Sequence, residues 1–173
     1  MQCFVSVGSN VEKEKNIAAG LNSLRETFGK LRISPIYETA AIGFAGDDFY
    51  NLVINFETAL NAHEVFEILR ELEFKHGRVK NSQKFSPRTL DLDLLLYGNE
   101  IIENETLKLP RLDIEKYLFV LQPLADIAPN LAHPVLQKTY AEMLVSLSES
   151  IGNSNLKVVP LPIMESTKIC PPT

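Results

Sequence analysis

Two aspartates, Asp91 and Asp93, have the chemistry and the spacing to bind a metal ion together. They lie in residues 89–97, TLDLDLLLY, where leucines occupy alternate positions from 90 to 96. Because successive side chains of a β-strand leave opposite faces, this alternation predicts a strand with four leucines on one face. The two carboxylates then lie on the other face, about 6.6 Å apart along the strand. Carboxylates bind hard divalent cations such as Mg²⁺, which often shares its ligands with substrate phosphates.

A basic segment precedes this strand. Residues 75–88 carry five cations and no carboxylate: Lys75, Arg78, Lys80, Lys84 and Arg88. An even distribution of the chain's 17 lysines and arginines would place about 1.4 in such a window. Cations beside a metal site are typical of enzymes that handle polyphosphates, since they balance the charge on phosphate oxygens. The alternative is a solvated strand face beside an ordinary basic loop, because alternating polar faces are common in sheets.

The composition of the chain limits the classes of partner. With 173 residues, 45% hydrophobic and 23% charged, it is long enough for one globular domain with its own core. A net charge of −5 argues against general nucleic-acid binding, and the local basic segment favours a small anionic ligand instead. The sequence shows neither an apolar run long enough to span a membrane nor a signal peptide. We therefore expect no membrane partner and a cytoplasmic location.

The elements that would position these side chains follow from hydrophobic periodicity and turn residues. Two strand–helix–strand units follow one another, which predicts an α+β chain with a ferredoxin-like core and both helices on one sheet face. Asn10 is the expected N-cap of the first helix, and Asn61 with Glu64 forms a capping box for the second. The expected elements are strands over 2–7, 31–40, 49–57 and 89–97, helices from Asn10 to Gly29 and from Asn61 to Gly77, and a loop over 43–48 that is able to swing.

The remainder of the chain adds shorter elements. We expect a single domain over 1–150, followed by an irregular tail over 151–173 that contains four prolines and little periodicity. Before the tail, Thr139 and Glu142 form a second capping pair. The other expected elements are a hairpin over 100–109, which widens the sheet, and helices over 113–121 and 139–147.

Residues 86–98, SPRTLDLDLLLYG, closely resemble the signature of the 6-hydroxymethyl-7,8-dihydropterin pyrophosphokinases, a family of folate biosynthesis. Other segments are similar to the family in the same order: VGSN at 7–10, YETAAIG at 37–43, DFYN at 48–51, GRVK at 77–80 and PLADIAP at 123–129. The resemblance covers about residues 3–147. It implies the family's three-layer α/β/α fold, with a mostly antiparallel sheet of about six strands between helices.

The resemblance also implies a reaction. The family transfers pyrophosphate from ATP to 6-hydroxymethyl-7,8-dihydropterin and releases AMP, so the chain is expected to be an ATP-dependent diphosphotransferase. Two Mg²⁺ ions are expected on Asp91 and Asp93, with ATP as the co-substrate. Arg78 and Arg88 are expected to stabilise charge on the transferring and leaving groups, and these four residues form the expected catalytic set. We expect a monomer whose partners are these small molecules.

By the same resemblance, the flat pterin lies between the rings of Phe49 and Phe119 and hydrogen-bonds Asn51. A heterocycle with several donors and acceptors needs such partners, because unpaired polar groups in a dry pocket cost free energy. Without the resemblance, both phenylalanines would be interpreted as core aromatics. The other expected contacts with the pterin, mostly through backbone groups, are Thr39, Ala40 and Ile42.

The nucleotide site is where the chain departs most from the family. The expected ATP contacts, besides the catalytic arginines, are Glu73, Lys80, Lys84, Leu94, Lys108, Arg111, Leu112 and Tyr117. The family usually has Thr at the position of Lys108, His at Arg111, Tyr at Leu112 and Arg at Tyr117. Lys80 and Lys84 replace arginines of the family, and lysine keeps the charge while losing the planar two-pronged contact with phosphate.

Two other functions compete with this interpretation. A divergent relative would keep the fold and bind pterin or nucleotide with an altered substrate or little activity, which the departures from the family favour. An RNA-binding module on a ferredoxin-like sheet would need paired aromatics on its central strands, whereas Asp91 and Asp93 would repel phosphates without a metal. Production of AMP from ATP in the presence of the dihydropterin discriminates among the three.

Overall fold

The computed structural model of the chain describes residues 1–41, 45–78, 89–152 and 156–160. The strands are β1 (Gln2–Ser9), β2 (Arg32–Ile33), β3 (Ile36–Thr39), β4 (Phe49–Glu57), β5 (Asp91–Tyr97), β6 (Ile102–Glu103), β7 (Lys108–Leu109) and β8 (Lys157–Val159). The helices are α1 (Lys13–Phe28), α2 (Ala62–Lys75), α3 (Asp113–Lys116), α4 (Leu118–Ile127) and α5 (Tyr140–Ile151). The main sheet has six strands in the order β5–β1–β4–β3–β8, with β2 also paired to β4.

The centre of the main sheet is the ferredoxin-like core that the sequence predicts. Strand β1 is antiparallel to both β4 and β5, and β3 is antiparallel to β4. Helix α1 connects β1 to the β2–β3 segment, and α2 connects β4 to β5. The predicted α+β class and the mostly antiparallel sheet are therefore confirmed.

Helices α1 and α2 share the first core with the sheet because each has an apolar stripe at helical spacing. The buried residues of these stripes are Ile17, Leu21 and Leu24 of α1 and Val65, Leu69 and Leu72 of α2. The capping box between Asn61 and Glu64 is present in both directions, as predicted. It satisfies backbone donors at the start of α2 and fixes the residue at which the helix begins.

The predicted N-cap of α1 is wrong. The helix begins after Glu12, which has φ 39° and ψ 49° and makes no side-chain capping bond. The amide of Asn10 instead donates to the backbone carbonyl of Asp47 at 3.4 Å. The Asn10 side chain therefore contacts the loop that precedes β4. Gly29 ends the helix with φ 81°, a conformation that favours glycine.

Helices α3, α4 and α5 share a second core with the other face of the sheet, which gives the three layers implied by the resemblance. Its buried residues include Phe4, Val53, Leu95, Leu96, Val120, Leu124, Tyr140 and Met143. The capping box of Thr139 and Glu142 at the start of α5 is confirmed. The single helix expected over 113–121 is wrong, because Tyr117 is extended, with φ −123° and ψ 121°, and separates α3 from α4.

Strand β5 departs from strict alternation. Val5 of β1 pairs with Leu94 and Phe4 pairs with Leu96, so Leu95 is an additional residue in β5. As a result Leu95 and Leu96 both lie in the second core, whereas the three preceding leucines of the run lie in the first. The prediction that Leu96 shares a face with those leucines is wrong, because the bulge shifts the alternation by one residue.

Two expectations for the last third of the chain are corrected. Strands β6 and β7 pair with each other, but they form a separate two-stranded sheet and do not widen the main one. Strand β8 pairs with β3, so the expected irregular tail is wrong for Lys157–Val159. Residues 161–173 lie outside the described part of the chain. Across the described ranges, no helix combines the length and the hydropathy needed to cross a bilayer.

Candidate active site

A single row of paired residues crosses four strands of the main sheet. Asp91 of β5 pairs with Gly8 of β1, and Gly8 pairs with Asn51 of β4. Asn51 in turn pairs with Tyr37 of β3. Directly paired residues direct their side chains to the same face. With neighbouring strands about 4.8 Å apart, Asp91 and Asn51 are about 10 Å apart across the sheet.

A second row lies beside the first on the same face. Asp93 pairs with Ser6, and Ser6 pairs with Val53. Val53 belongs to the second core, so this is the face on which α3, α4 and α5 pack. At the start of β4, Phe49 pairs with Thr39 and lies on the same face as Asn51 and Val53. The acidic pair therefore shares one face with three of the residues predicted to bind the pterin.

Sequence reasoning missed Gly8, at the centre of the first row. A Cβ added to Gly8 would lie 3.2 Å from Oδ1 of Asn51 and 3.9 Å from Cδ1 of Phe49. The missing side chain therefore keeps the surface between the acidic pair and Asn51 open. A glycine inside a strand is the sequence signal for this feature, since it often marks the close approach of a ligand or another backbone.

Glu73 of α2 is a fully buried carboxylate beside the acidic pair, with 0% of its surface exposed. Its Oε1 accepts a hydrogen bond from the backbone N–H of Leu92 at 2.7 Å. Its Oε2 accepts hydrogen bonds from Arg70, at 2.9 Å, and from Arg78. Among the strands that the structure describes, β5 forms one edge of the main sheet, and Glu73 satisfies a backbone donor at that edge. These contacts position the strand, and the expected contact between Glu73 and ATP stays a prediction.

Among the residues that the structure describes, three arginines place their guanidinium groups beside the two aspartates. Nη1 of Arg78 is 3.5 Å from Oδ1 of Asp91. Nη2 of Arg111 is 3.4 Å, and Nη2 of Arg70 is 4.0 Å, from Oδ1 of Asp93. Sequence reasoning missed Arg70, although residues three apart on a helix face each other and Arg70 lies three before Glu73. The site thus combines two carboxylates with cations suited to phosphate.

The carboxyl group of Asp93 has a raised pKa. Burial raises the pKa of Asp93 to about 6 and the charge of Asp91 adds to the effect, while Arg111 and Arg70 act in the opposite direction. The side chain of Asp93 is nevertheless 18% exposed, so a cation can reach it. Two neighbouring carboxylates that repel each other are a favourable place for a divalent cation.

The donor set fits Mg²⁺ that protein and substrate hold together. Within the described residues, no three His, Cys, Asp or Glu side chains form a cluster suited to a metal. Asp91 and Asp93 alone supply too few ligands for an octahedral cation, and Mg²⁺ commonly completes its shell with water and substrate phosphates. The chemistry of the pair therefore fits a magnesium–nucleotide complex better than a permanently bound metal.

The residues predicted to bind the pterin lie on β3, β4 and α4. Nδ2 of Asn51 donates a hydrogen bond to Oγ1 of Thr39 at 2.8 Å, which fixes the orientation of the Asn51 amide. Phe49 and Phe119 are both half-buried. The ring of Phe119 stacks on that of Tyr117, with centroids 5.0 Å apart. Tyr117 was predicted to contact the nucleotide and Phe119 the pterin. The stacked rings therefore bring one residue of each predicted subsite into contact.

Of the residues predicted to bind ATP, Glu73 and Arg111 contact the backbone of β5. The backbone N–H of Arg111 donates to the carbonyl of Leu95 at 3.0 Å, which attaches the segment after β7 to β5. Nζ of Lys108 is 3.7 Å from the carboxylate of Glu103. The side chain of Leu94 lies in the first core, so a contact with ATP would have to come from its backbone. Leu112, predicted to bind ATP, and Ala40, predicted to bind the pterin, are both exposed. Four other predicted site residues lie outside the described part of the chain: Ile42, Lys80, Lys84 and Arg88.

The described part of the loop predicted to swing lies beside α1. A cleft of about 480 Å³ is lined by Asn10, Glu12, Lys13, Glu14, Gly46, Asp47 and Asp48. Nζ of Lys13 donates to the backbone carbonyl of Asp48 at 3.2 Å, which attaches the end of the loop to the helix. Closure of this loop over a substrate stays a prediction.

Comparison with known proteins places the chain among related sequences. A model of the 7,8-dihydro-6-hydroxymethylpterin-pyrophosphokinase family matches residues 4–129. The 2-amino-4-hydroxy-6-hydroxymethyldihydropteridine pyrophosphokinase of Aquifex aeolicus is 35% identical over 141 residues, which cover 80% of this chain and 88% of that protein. The protein of the same name from Pseudomonas aeruginosa is 37% identical over 136 residues, 76% of this chain and 83% of that protein. The folic acid synthesis protein fol1 of Schizosaccharomyces pombe is 33% identical over 148 residues, 83% of this chain and 20% of fol1.

Solved structures agree with the fold. A crystal structure of HPPK-DHPS in complex with substrates has a TM-score of 0.68 at 14% identity and covers 87% of this chain. A Plasmodium falciparum HPPK-DHPS triple mutant with SDX-DHP has a TM-score of 0.70 at 14% identity and covers 90%. In both cases this chain spans 44% of the solved chain. At such low identity the likeness shows the fold alone.

Proposed function

The chain belongs to the 7,8-dihydro-6-hydroxymethylpterin-pyrophosphokinase family, and on this basis we propose that it transfers pyrophosphate from ATP to 6-hydroxymethyl-7,8-dihydropterin and releases AMP. This reaction is a step of folate biosynthesis. The observation that carries the proposal is that Asp91 and Asp93 share one sheet face with Phe49 and Asn51. A separation of about 10 Å across the sheet would leave room for the triphosphate and the pterin side by side on that face.

Asp91 and Asp93 would hold the magnesium that accompanies ATP. When bound, Mg²⁺ would neutralise phosphate charge and orient the phosphorus that is attacked. We propose two ions, the number that the resemblance to the family implies. The raised pKa of Asp93, caused first by burial and then by the charge of Asp91, means that cation binding there releases a proton below about pH 6.

The arginines would exchange partners when the nucleotide binds. Arg78 and Arg111 are held 3.5 Å from Asp91 and 3.4 Å from Asp93 respectively. A guanidinium group binds phosphate oxygens through parallel N–H groups. With a cation on the aspartates, the two arginines would be available to the phosphates, where they would stabilise the charge that develops during transfer. Arg88 is proposed to act with Arg78 on the transferring and leaving groups.

The pterin would bind at the other end of the shared face. Phe49 and Phe119 provide rings for stacking on the flat heterocycle, and Asn51 provides an amide for hydrogen bonding. With the pterin there, its hydroxymethyl group would be directed across Gly8 towards the acidic pair. Closure of the loop over 43–48 and of the basic segment over 77–86 would exclude water, which otherwise competes as the acceptor.

Release of AMP from ATP in the presence of Mg²⁺ and the dihydropterin tests the function. We expect Asp93→Ala to lower kcat/KM by about a hundredfold or more, because a metal anchor that stabilises the transition state is lost. The matched control is Glu149→Ala, which removes a carboxylate from the exposed surface of α5 and should keep wild-type activity. AMP release by Asp93→Ala within about tenfold of wild type would contradict the proposal.

A divergent relative that binds pterin or nucleotide, with an altered substrate or with little or no activity, is the second candidate, and Arg111 favours it. The family usually has a histidine there, whereas the permanently charged Arg111 lies 3.4 Å from Asp93 and competes with a metal for that carboxylate. Calorimetric binding of ATP with Mg²⁺, without AMP release after addition of the dihydropterin, would support this candidate.

We also propose that the protein is a monomeric, cytoplasmic enzyme whose partners are small molecules. Its net charge of −5 opposes association with nucleic acid, and its basic residues near the site suit a compact polyanion. Sedimentation of the purified protein tests the oligomeric state, and fractionation of cells tests the location.

A further inference from the structure

Strand β8 lies outside the residues matched by the family model and forms one edge of the main sheet. Its three pairs with β3 are Ile36 with Val159, Tyr37 with Val158 and Glu38 with Lys157. Strand β3 has four residues, and β8 gives it a second neighbour in addition to β4. A strand with neighbours on both sides satisfies its backbone donors and acceptors within the sheet.

The side chain of Glu38 connects β8 with α1. Its Oε2 is 3.1 Å from Nζ of Lys157, and its Oε1 accepts a hydrogen bond from Nζ of Lys13 at 2.8 Å. Lys13 also donates to the carbonyl of Asp48 and lies 4.6 Å from the ring centroid of Tyr50. The side chain of Lys157 is 75% exposed, so its ion pair contributes little by itself. The backbone pairing is therefore the main connection between β8 and the rest of the sheet.

The other neighbour of β3 carries residues proposed to bind the pterin. Thr39 pairs with Phe49, and its hydroxyl accepts the hydrogen bond of Asn51. A displacement of β3 therefore changes the position of Thr39 relative to both residues. The acidic pair lies in β5, at the opposite edge of the sheet, and β1 and β4 separate it from β3.

We propose that β8 is a positioning strand for the pterin side of the site, which holds Thr39 against Asn51 and Phe49 by pairing with β3. This inference rests on the proposed function. It assigns to β8, which lies outside the residues 4–129 matched by the family model, an effect on the affinity for the dihydropterin. Without β8, the four residues of β3 form an exposed edge whose backbone groups exchange partners with water. Pterin binding then includes the cost of ordering β3, whereas ATP binding at β5 does not.

A double variant of the full-length chain, Val158→Pro with Val159→Pro, tests the pairing. The N–H groups of consecutive strand residues point to opposite sides, so two prolines remove a donor from the ladder whichever residue supplies it. The matched control is Val158→Ile with Val159→Ile, which keeps both N–H groups, the branching and the apolar character. We expect the proline variant to raise KM for the dihydropterin about fivefold or more and KM for ATP less than about twofold. The isoleucine variant should change neither value.

Two further measurements separate positioning from general loss of structure. Amide hydrogen exchange over Ile36–Thr39 should be faster in the proline variant, while exchange in β5 stays as in wild type. The Kd of the dihydropterin, measured by fluorescence without turnover, should weaken by the same factor as its KM. An unchanged KM for the dihydropterin, or an equal rise in both KM values, would overturn the inference. If wild type neither binds the dihydropterin nor forms AMP, the proposed function itself fails, so the two failures are distinguishable.

Discussion

The backbone N–H of Leu92 donates a hydrogen bond to Oε1 of Glu73 at 2.7 Å, so a buried carboxylate of α2 holds the strand that carries both aspartates. Leu92 is the residue between Asp91 and Asp93, and this bond therefore restrains the backbone of both. The other oxygen of Glu73 accepts hydrogen bonds from two arginines that face the same aspartates. One side chain that is closed to solvent thus sets both the position of the acidic pair and the position of its counter-charges.

The first prediction concerns Glu73. We expect Glu73→Ala to lower the free energy of unfolding by about 3–5 kcal/mol, because it leaves the N–H of Leu92 without an acceptor and removes the buried carboxylate that two arginines share. Glu73→Gln keeps an acceptor for Leu92 and should cost less. Denaturation in urea measures both, with Glu71→Ala on the exposed surface of α2 as a control expected to change stability by less than about 0.5 kcal/mol. Equal stability of the two Glu73 variants would show that the bond to Leu92 contributes nothing.

The second prediction concerns Arg70, whose guanidinium lies 4.0 Å from Asp93. We expect Arg70→Gln to raise KM for ATP by about three- to tenfold, because a guanidinium group beside the acidic pair that could contact the phosphates is lost. KM for the dihydropterin should stay at the wild-type value. Arg32→Gln, which removes an exposed arginine of β2, is the matched control in the same steady-state assay. An unchanged KM for ATP in Arg70→Gln would show that Arg70 does not contact the nucleotide and acts only through its hydrogen bond to Glu73.

Much of the fold could be predicted because its signals are local. The capping box of Asn61 and Glu64 involves residues three positions apart, and its start of α2 is confirmed. The extra residue in β5, Leu95, could not be predicted, because the bulge exists only in the pairing of β5 with β1. The same reason explains β8: a three-residue strand has little periodicity of its own and is defined by its partner β3.

In the candidate site, too, some residues could be identified from the sequence and others only from the packing of the elements. Asp91 and Asp93 could be identified because their alternation with leucines is visible in the sequence. Gly8 and Arg70 have only weak signals in the sequence, a glycine inside a strand and a spacing of three from Glu73, and each becomes informative when another element is placed beside it. Gly8 of β1 pairs with Asn51 of the neighbouring strand β4, and Arg70 reaches the acidic pair only because α2 packs beside β5.

The third prediction uses the close approach at Gly8. We expect Gly8→Ala to raise KM for the dihydropterin by about tenfold or more, because the new Cβ would lie 3.2 Å from Oδ1 of Asn51 and displace the amide. Gly8 lies in the regular pairing of β1, so alanine should be accommodated with little change in the melting temperature. KM for ATP should change less than about twofold. Steady-state kinetics with each substrate varied in turn measures the difference, and an equal loss for both substrates would indicate a general distortion of the sheet.

The fourth prediction concerns acid stability and two histidines. Nδ1 of the buried His133 accepts hydrogen bonds from the N–H groups of Val135 and Leu136, both at 3.2 Å, so the proton of the neutral ring lies on Nε2. Burial lowers the pKa of His133, with Glu115 acting in the opposite direction, and burial also lowers the pKa of His76. Because these folded-state pKa values lie below the unfolded value of about 6.5, the unfolded chain binds more protons as the pH falls. The stability that the neutral histidines provide is present above about pH 6.5 and is lost below it.

We therefore expect each histidine to reduce the free energy of unfolding between about pH 7 and about pH 5, by up to about 1.4 kcal/mol per pH unit. Asp93 acts in the opposite direction, because burial raises its pKa to about 6 and the folded state then binds its proton more readily than the unfolded state. His133→Asn with His76→Gln replaces both rings by neutral amides, which retain an acceptor for the turn at Val135 and a partner for Ser23. Urea denaturation at a series of pH values should show that the double variant loses less stability on acidification than wild type. If the two proteins lose the same stability, the acid sensitivity has its origin in other groups.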